Sequence, residues 1–281
     1  MRQEIASYLS TIKKEMYDLS KFLYDNPEGS FKETKAQDYI SKLLLNKGFK
    51  VSNNYMDIST AFHAKFGDGH PKVCFLCDYD ADIKKGHIYG NNLSTCISIA
   101  SALSLAKVIP KTGGSVIVMG TPGELTGGSK KTLERQGAFD DMDVIFIAKL
   151  HTGNHDVTLP ELPNHEIKLS QTLNRLFAHN LKESGIIEIE TANCASLSST
   201  LECISDTIPS INSYISIVKD KTITYPSSEF AKETLSEHAQ DIALKVAEAL
   251  ALTGLDLIEK QDLLMESKCE LTPQPNACSK V

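Results

Sequence analysis

Three short apolar segments, each followed by a stretch with helical periodicity, constrain the fold of this chain more than any other feature. They are "KVCFLCDY" (72–79), "GSVIVMGT" (114–121) and "DVIFIAKLH" (143–151). A strand that is apolar on both faces must be covered on both, and strands that alternate with helices are typical of a parallel sheet with crossover connections. The sequence therefore predicts an α/β fold: a mixed, mostly parallel sheet with helices on both faces.

The rest of the chain fits this layered arrangement. Apolar residues at three- and four-residue steps predict a helix over about 1–24, a second over 34–47 and a long one over 229–258. "FKVSNN", "TAFHAKFG" and "PSINSYISIVK" are predicted as further strands. Residues 153–169 contain two prolines and have weak periodicity, so we expect a short connection there. We predict one domain over 1–268 and a flexible tail over 269–281.

Composition limits the partners and the compartment. The net charge of −7 argues against nucleic acid or an anionic membrane as the main partner, and 41% hydrophobic residues are enough to bury a full core. Seven scattered cysteines are expected to be reduced, and the Cys74/Cys77 pair lies inside a strand pattern rather than at a turn. Charges occur throughout residues 1–24, and no apolar run approaches the roughly 18 residues of a membrane span. These features predict a cytoplasmic protein.

The order of several motifs resembles one known family. "LSKFLYDNPEGSFKETKA", "KGHIYGNN", "VIVMGTPGELTGGSKKTLERQGAFDDMDV" and "LHTG" follow one another as in the amidohydrolase branch of the aminoacylase/carboxypeptidase metallopeptidases, metallopeptidase family twenty. The resemblance covers nearly the full chain. It implies an aminopeptidase-like three-layer fold, two zinc or manganese ions, and an inserted lid domain that carries the dimer contact.

The resemblance also implies which positions hold the metal, and most of them are changed. In this branch a Cys and a His around one glycine are ligands, and here those positions are Tyr89 and Asn91. Two adjacent Glu residues, a general base and a ligand, correspond to Glu124 and Leu125. A ligand His matches His151, and the last His falls in "TYPSSEF" (224–230), which has none. Of five expected ligands, one is matched, and leucine cannot bind zinc.

The lid is also predicted to be missing. Fewer than 20 residues separate His151 from the helix predicted at Ser170, whereas the resemblance implies an inserted domain on the order of 100 residues there. We therefore predict no lid-mediated dimer, no metal and no other cofactor. The predicted role is binding of a small molecule or a protein partner, with Glu124 as a vestigial general base. The predicted cleft is walled by Asp80, His87, Tyr89, Asn91, Glu124 and His151.

Several alternatives remain open from the sequence. Glu124 and His151 could form a rebuilt site that hydrolyses N-acyl amino acids or small peptides. Glu124 could equally be a carboxylate at a helix N-terminus. The chain could be a subunit that needs a family partner for activity. A thiol mechanism would use Cys77 or Cys96. A relocated single-metal site would draw on His87, His151 and His155 with Asp80 or Asp82.

Overall fold

The computed structural model describes residues 1–161, 170–193 and 207–271. The strands are β1 Lys50–Asn53, β2 Phe62–Asp68, β3 Lys72–Cys77, β4 Gly114–Gly120, β5 Val144–His151, β6 Val157–Glu161, β7 Ile189–Asn193 and β8 Ser210–Ser216. The helices are α1 Arg2–Asp25, α2 Thr34–Asn46, α3 Asn91–Ala106, α4 Ile109–Thr112, α5 Lys130–Arg135, α6 Gln171–Glu183, α7 Ser228–Glu233, α8 Glu237–Glu259 and α9 Gln261–Cys269. Short 3-10 turns cover Tyr55–Asp57 and Glu124–Thr126.

The eight strands form one sheet in the order β1-β2-β4-β3-β5-β8-β6-β7. The four central strands β4, β3, β5 and β8 are parallel. Antiparallel pairs join β1 to β2, β2 to β4 and β6 to β8. The predicted mixed, mostly parallel sheet is confirmed.

Both faces of the sheet carry apolar side chains, as the sequence predicted. In β3, Phe75 and Cys77 point to one face, whereas Cys74 and Leu76 point to the other. On the first face lie α1, α3 and α8, and the N-terminal α1 packs directly against both α3 and α8. The second face is covered, within the described ranges, by α5 and the segments around it. Helices therefore lie on both faces, with the longer ones on one side.

The structure differs from the sequence prediction at several places, and two of them concern segments for which the sequence predicts other elements. The predicted connection over 153–169 contains β6, in which Val157 and Leu159 are buried. Two apolar positions in five residues that include a proline are too weak a pattern to predict a strand from sequence. The predicted helix over 229–258 is two helices, since the Ser236 hydroxyl accepts a hydrogen bond from the backbone N–H of Ala239 and caps a new start.

The predicted tail over 269–281 lies mostly outside the described residues and stays a prediction. Of its first residues, Cys269 ends α9 and is exposed, and Leu271 is buried. Residues 272–281 of the predicted tail, like 162–169 and 194–206, lie outside the described residues. Among the described helices, none is long and apolar enough to cross a membrane.

The parallel strands bring their carboxyl ends to one edge of the sheet. Cys77 ends β3, Gly120 ends β4, His151 ends β5 and Ser216 ends β8. Side chains in the loops that follow these strands can therefore meet, and this edge is the usual ligand site of open α/β sheets.

Candidate functional site

A fully buried lysine lies at the centre of this edge. Lys130 begins α5, and its side chain is 0% exposed. Its Nζ donates to Asp78 Oδ1 at 2.6 Å, to Asp78 Oδ2 at 2.8 Å and to Glu124 Oε2 at 2.5 Å. Asp78 follows β3, and Glu124 opens the 3-10 turn after β4. One ammonium thus holds together the loops that follow two neighbouring strands.

A second ammonium reaches the same carboxylate from β5. Lys149 Nζ donates to Glu124 Oε1, and 18% of the Lys149 side chain remains exposed. Lys149 and His151 are two residues apart in the strand, so they project from the same face of the sheet. Lys149 is therefore the cation that this cluster presents towards the edge of the sheet.

The two ammonium groups determine how Glu124 titrates. Burial alone would raise the pKa of Glu124, but the charges of Lys130 and Lys149 and their hydrogen bonds lower it to about 2. Burial lowers the pKa of Lys149, while Asp78 and Glu124 reverse that effect and raise it. At neutral pH Glu124 and Lys149 therefore form an ion pair, and Glu124 is a weak base. The carboxylate is thus held by lysine charges rather than at the start of α5, which begins six residues later.

Asp80 links three segments of the site through its buried carboxylate. Its Oδ2 accepts from Ser30 Oγ at 2.8 Å and from the Leu125 backbone N–H at 2.9 Å. Its Oδ1 accepts from Asn91 Nδ2 at 3.1 Å. Burial of this 0% exposed side chain raises the pKa of Asp80 to about 6. Asp80 acts here as a tie between loops.

The turn before α3 requires glycine. Gly90 has φ 75°, and a Cβ placed on it would come within 2.7 Å of Leu150 Cδ1. Asn91 follows as the first residue of α3, and its Nδ2 donates to the Asp80 backbone oxygen at 3.0 Å as well as to the carboxylate. The amide of Asn91 therefore points donors at Asp80 from the position where the resemblance implies a metal-binding imidazole.

Aromatic rings pack together next to the site, and one of them, Tyr89, directly precedes the turn at Gly90. Tyr89 and Tyr225 meet edge to face with centroids 6.0 Å apart, and Tyr225 packs on Phe230 at 4.8 Å. The rings of His151 and Tyr214 are 5.9 Å apart. Burial raises the pKa of Tyr225, and neighbouring Tyr89 and Tyr214 raise it further, so its phenol is neutral. This group of five is hereafter called the aromatic wall.

His151 lies within the aromatic wall, but His87 does not. The Nε2 atom of His151 is buried and has no hydrogen-bond partner among the described residues, and burial lowers the pKa of this imidazole. His87 is 2% exposed, its Nε2 lies 3.0 Å from the Leu23 backbone oxygen of α1, and burial lowers its pKa to about 4. Of the six predicted cleft residues, Asp80 contacts Asn91 and the turn that carries Glu124, while Tyr89 and His151 lie in the aromatic wall. His87 faces α1 instead.

Sequence reasoning missed Lys130 and Lys149. Lysine is rarely buried unless it is paired, so a lysine inside the apolar strand "VIFIAKLH" was a usable signal for Lys149. Lys130 gave no such signal, because "SKK" has the pattern that is typical of the start of an exposed helix.

A buried carboxylate that braces the glycine turn was missed too. Glu33 is 0% exposed and accepts from the backbone N–H groups of Phe31 at 2.8 Å and Gly123 at 2.9 Å. It also accepts from Thr60 Oγ1 at 2.8 Å. Gly123 has φ 76° and directly precedes Glu124. Glu33 therefore fixes the turn that carries the Glu124 carboxylate.

The thiol and relocated-metal alternatives gain no support. Cys77 and Cys96 are buried, and burial raises the pKa of both thiols, which disfavours the reactive thiolate. No group of three or more His, Cys, Asp or Glu side chains that could hold a metal occurs within 1–161, 170–193 and 207–271. His155, which this metal alternative would use, has a side chain that is 44% exposed, and its Nε2 lies 3.9 Å from Oε2 of Glu190.

The parallel sheet with its site at the strand ends defines an aminopeptidase-like α/β fold. A dinuclear metal-binding peptidase of the M20 family from Bacillus subtilis shares it, with a TM-score of 0.59 and 12% identity over 85% of this chain and 99% of that one. No protein-family model matches the chain.

Three curated proteins match at the level of sequence, among them the following two. One subunit of the p-aminobenzoyl-glutamate hydrolase from Escherichia coli (strain K12) is 32% identical over 145 residues, which cover 45% of this chain and 30% of that protein. The Xaa-Arg dipeptidase of Mus musculus is 28% identical over 182 residues, 59% of this chain and 42% of that protein. The chain thus spans less than half the length of these relatives. It is related to the M20 amidohydrolases and peptidases, which confirms the resemblance.

The residues present do not fit the pair of metal ions that this relationship implies. Tyr89, Asn91 and Leu125 stand where the resemblance implies metal ligands, and Leu125 offers the site a backbone N–H donor to Asp80 rather than an acceptor. The oxygens of Glu124 accept from two ammonium groups. Zinc requires Cys, His or carboxylate donors that are free to coordinate it.

We expect the purified protein to retain less than one zinc or manganese ion per chain. The reason is the positive charge of Lys130 and Lys149, which would repel a divalent ion from Glu124. Elemental analysis of protein purified without chelator measures this directly. One or more tightly held ions per chain would contradict the prediction.

Proposed function

We propose that this hydrolase-like chain binds a small ligand or a protein partner at the carboxyl edge of its sheet, without metal-dependent hydrolysis. The observation that carries the proposal is the carboxylate of Glu124, which accepts hydrogen bonds from both Lys130 and Lys149. A protein partner would bind at this same edge of the sheet, where the resemblance implies a lid domain. The proposal includes no lid-mediated dimer, and the net charge of −7 favours neither nucleic acid nor an anionic membrane.

The chemistry of Glu124 supports binding over catalysis. A general base works best when its pKa lies near the working pH, and the pKa of Glu124 is lowered to about 2. Water itself has a pKa of about 15.7 unless a metal ion lowers it. A carboxylate this weakly basic would remove a proton from free water too rarely to support useful amide hydrolysis.

The lining of the site suggests the kind of small ligand to test. Within the aromatic wall, Tyr225 is exposed and Tyr89 and His151 are half-buried, so these three rings offer surface to an aromatic or apolar group, whereas Tyr214 and Phe230 are buried behind them. Lys149, which is partly exposed beside Glu124, offers an N–H donor for a carboxylate or carbonyl oxygen. The names of the two relatives supply two probes, p-aminobenzoyl-glutamate and an Xaa-Arg dipeptide. The first suits this lining better because it combines an aromatic ring with carboxylates.

We expect p-aminobenzoyl-glutamate to bind without being cleaved. Isothermal titration calorimetry measures binding, and chromatography of the mixture after long incubation measures cleavage. Tyr225→Ala should weaken binding by about 2- to 10-fold, the value of one aromatic contact. Tyr17→Ala, which removes an exposed tyrosine of α1, is the matched control and should bind as the wild type does.

Two outcomes would contradict the proposal. Turnover that requires added zinc or manganese and disappears in Glu124→Gln would establish the alternative, a hydrolase with a rebuilt site around Glu124 and His151. Absence of binding by both probes, together with no partner retained on the immobilised wild-type protein, would remove the binding role.

A further inference from the structure

We infer that the ammonium of Lys149 is a built-in cation, which completes the carboxylate cluster in place of a bound ion. The inference goes beyond the proposed function, because it concerns how the charges of the site are balanced rather than what the site binds. It also has a consequence for ligands: without the Lys149 side chain, the vacated space becomes a binding site for a small primary alkylammonium ion.

The first step of the argument is the number of buried charges. Asp78 is 2% exposed, Asp80 is 0% exposed, and the Glu124 side chain is 9% exposed. Buried carboxylates are unstable unless they are paired or hydrogen-bonded. Asp80 is supplied with three neutral donors from Ser30, Asn91 and the Leu125 backbone. Asp78 and Glu124 are the two carboxylates that receive ammonium groups.

The second step is which carboxylate oxygens each of the two lysines contacts. Lys130 uses three contacts, two on Asp78 and one on Glu124 Oε2, which matches the three N–H bonds of an ammonium group. The other oxygen of Glu124, Oε1, accepts from Lys149. Lys130 therefore has no further N–H with which to replace Lys149 at that oxygen.

The third step is the difference in solvent access between the two ammonium groups. Lys130 is 0% exposed and is enclosed by the cluster, whereas Lys149 is 18% exposed at the end of β5. A cation that enters from solvent could reach the position of the Lys149 ammonium but not that of Lys130.

The test is chemical rescue of Lys149→Ala. We expect this variant to melt at a lower temperature than the wild type, and ethylammonium or propylammonium to recover part of the loss in a saturable manner. Tetramethylammonium, which has no N–H donor, and sodium chloride at equal ionic strength should not do so. Lys131→Ala is the matched control, because it removes an exposed lysine of α5 that lies next to Lys130 in the sequence. The wild type and this control should not respond to the amines.

Lys149→Met keeps most of the side-chain volume without the charge, and it serves if Lys149→Ala does not fold. We expect Lys149→Met to melt below the wild type and to show no amine rescue, because its side chain fills the space. An unchanged melting temperature in either variant would overturn the inference. So would an equal response of Lys149→Ala to tetramethylammonium and to propylammonium. Hydrolysis by the wild type would contradict the proposed function, whereas the rescue result is measured without any substrate.

Discussion

Lys130→Met is expected to lower the free energy of unfolding by about 3–5 kcal/mol, the usual effect of removing one partner from a buried ion pair. The ammonium of Lys130 is 0% exposed and satisfies Asp78 and one oxygen of Glu124, so its loss leaves carboxylate charge buried without compensation. Urea denaturation followed by circular dichroism measures the change. Lys131→Met, at the exposed neighbouring position, should change stability by less than about 0.5 kcal/mol.

A second variant separates the charge from the packing. Lys130→Met combined with Asp78→Asn removes one cation and one carboxylate charge together, and it should be more stable than Lys130→Met alone. Equal or lower stability of the double variant would contradict the explanation by uncompensated charge. A loss of less than about 1 kcal/mol in the single variant would contradict the burial of an ion pair at this position.

Glu33→Ala is expected to cost about 2–5 kcal/mol, since an unsatisfied buried donor costs about 1–3 kcal/mol. The substitution leaves the Gly123 N–H and the Thr60 hydroxyl, both buried, without an acceptor, and it removes the partner of the Phe31 N–H. Urea denaturation again gives the change. Glu33→Gln should cost less, because its amide keeps one acceptor oxygen.

The same substitution should also disturb the site. Gly123 precedes Glu124 in the turn, so a shifted turn would move the carboxylate away from Lys149. We therefore expect Glu33→Ala to weaken ligand binding even at a temperature where the variant is fully folded. Glu266→Ala, on the exposed surface of α9, is the control for replacing a glutamate. Unchanged stability of Glu33→Ala would show that other groups brace the turn.

The sheet was predictable because its central strands are apolar on both faces. β3, β4 and β5 contain few polar residues, and the glycine loops between them mark where each strand ends. β6 was not predicted, because Pro160 and the polar residues around it make five residues look like a loop. It becomes a strand through its pairing with β7 and β8, which is a tertiary effect.

The site was predictable by position but not by charge. The loops after β3 and β4 and the end of β5 follow from the strand pattern, which is why Asp80, Glu124 and His151 were expected together. The pairing of Glu124 with Lys149 joins residues 25 apart in sequence. Nothing local distinguishes Lys130, which is buried, from Lys131, which is exposed. Burial of an ionisable side chain depends on what the rest of the fold places above it.

The packing of α1 against α3 and α8 has a consequence for how the chain reaches its native state. Arg2 donates to Asp256 at 3.1 Å and to Asn180 at 2.6 Å, so the beginning of α1 contacts α8 and α6. Contacts this distant in sequence close large loops and form late in folding. During synthesis on the ribosome, α1 emerges before α8 and cannot pack on it until residue 256 has left the exit tunnel. Over that interval the part of the apolar face of α1 that packs on α8 is uncovered, and chaperones bind such surfaces.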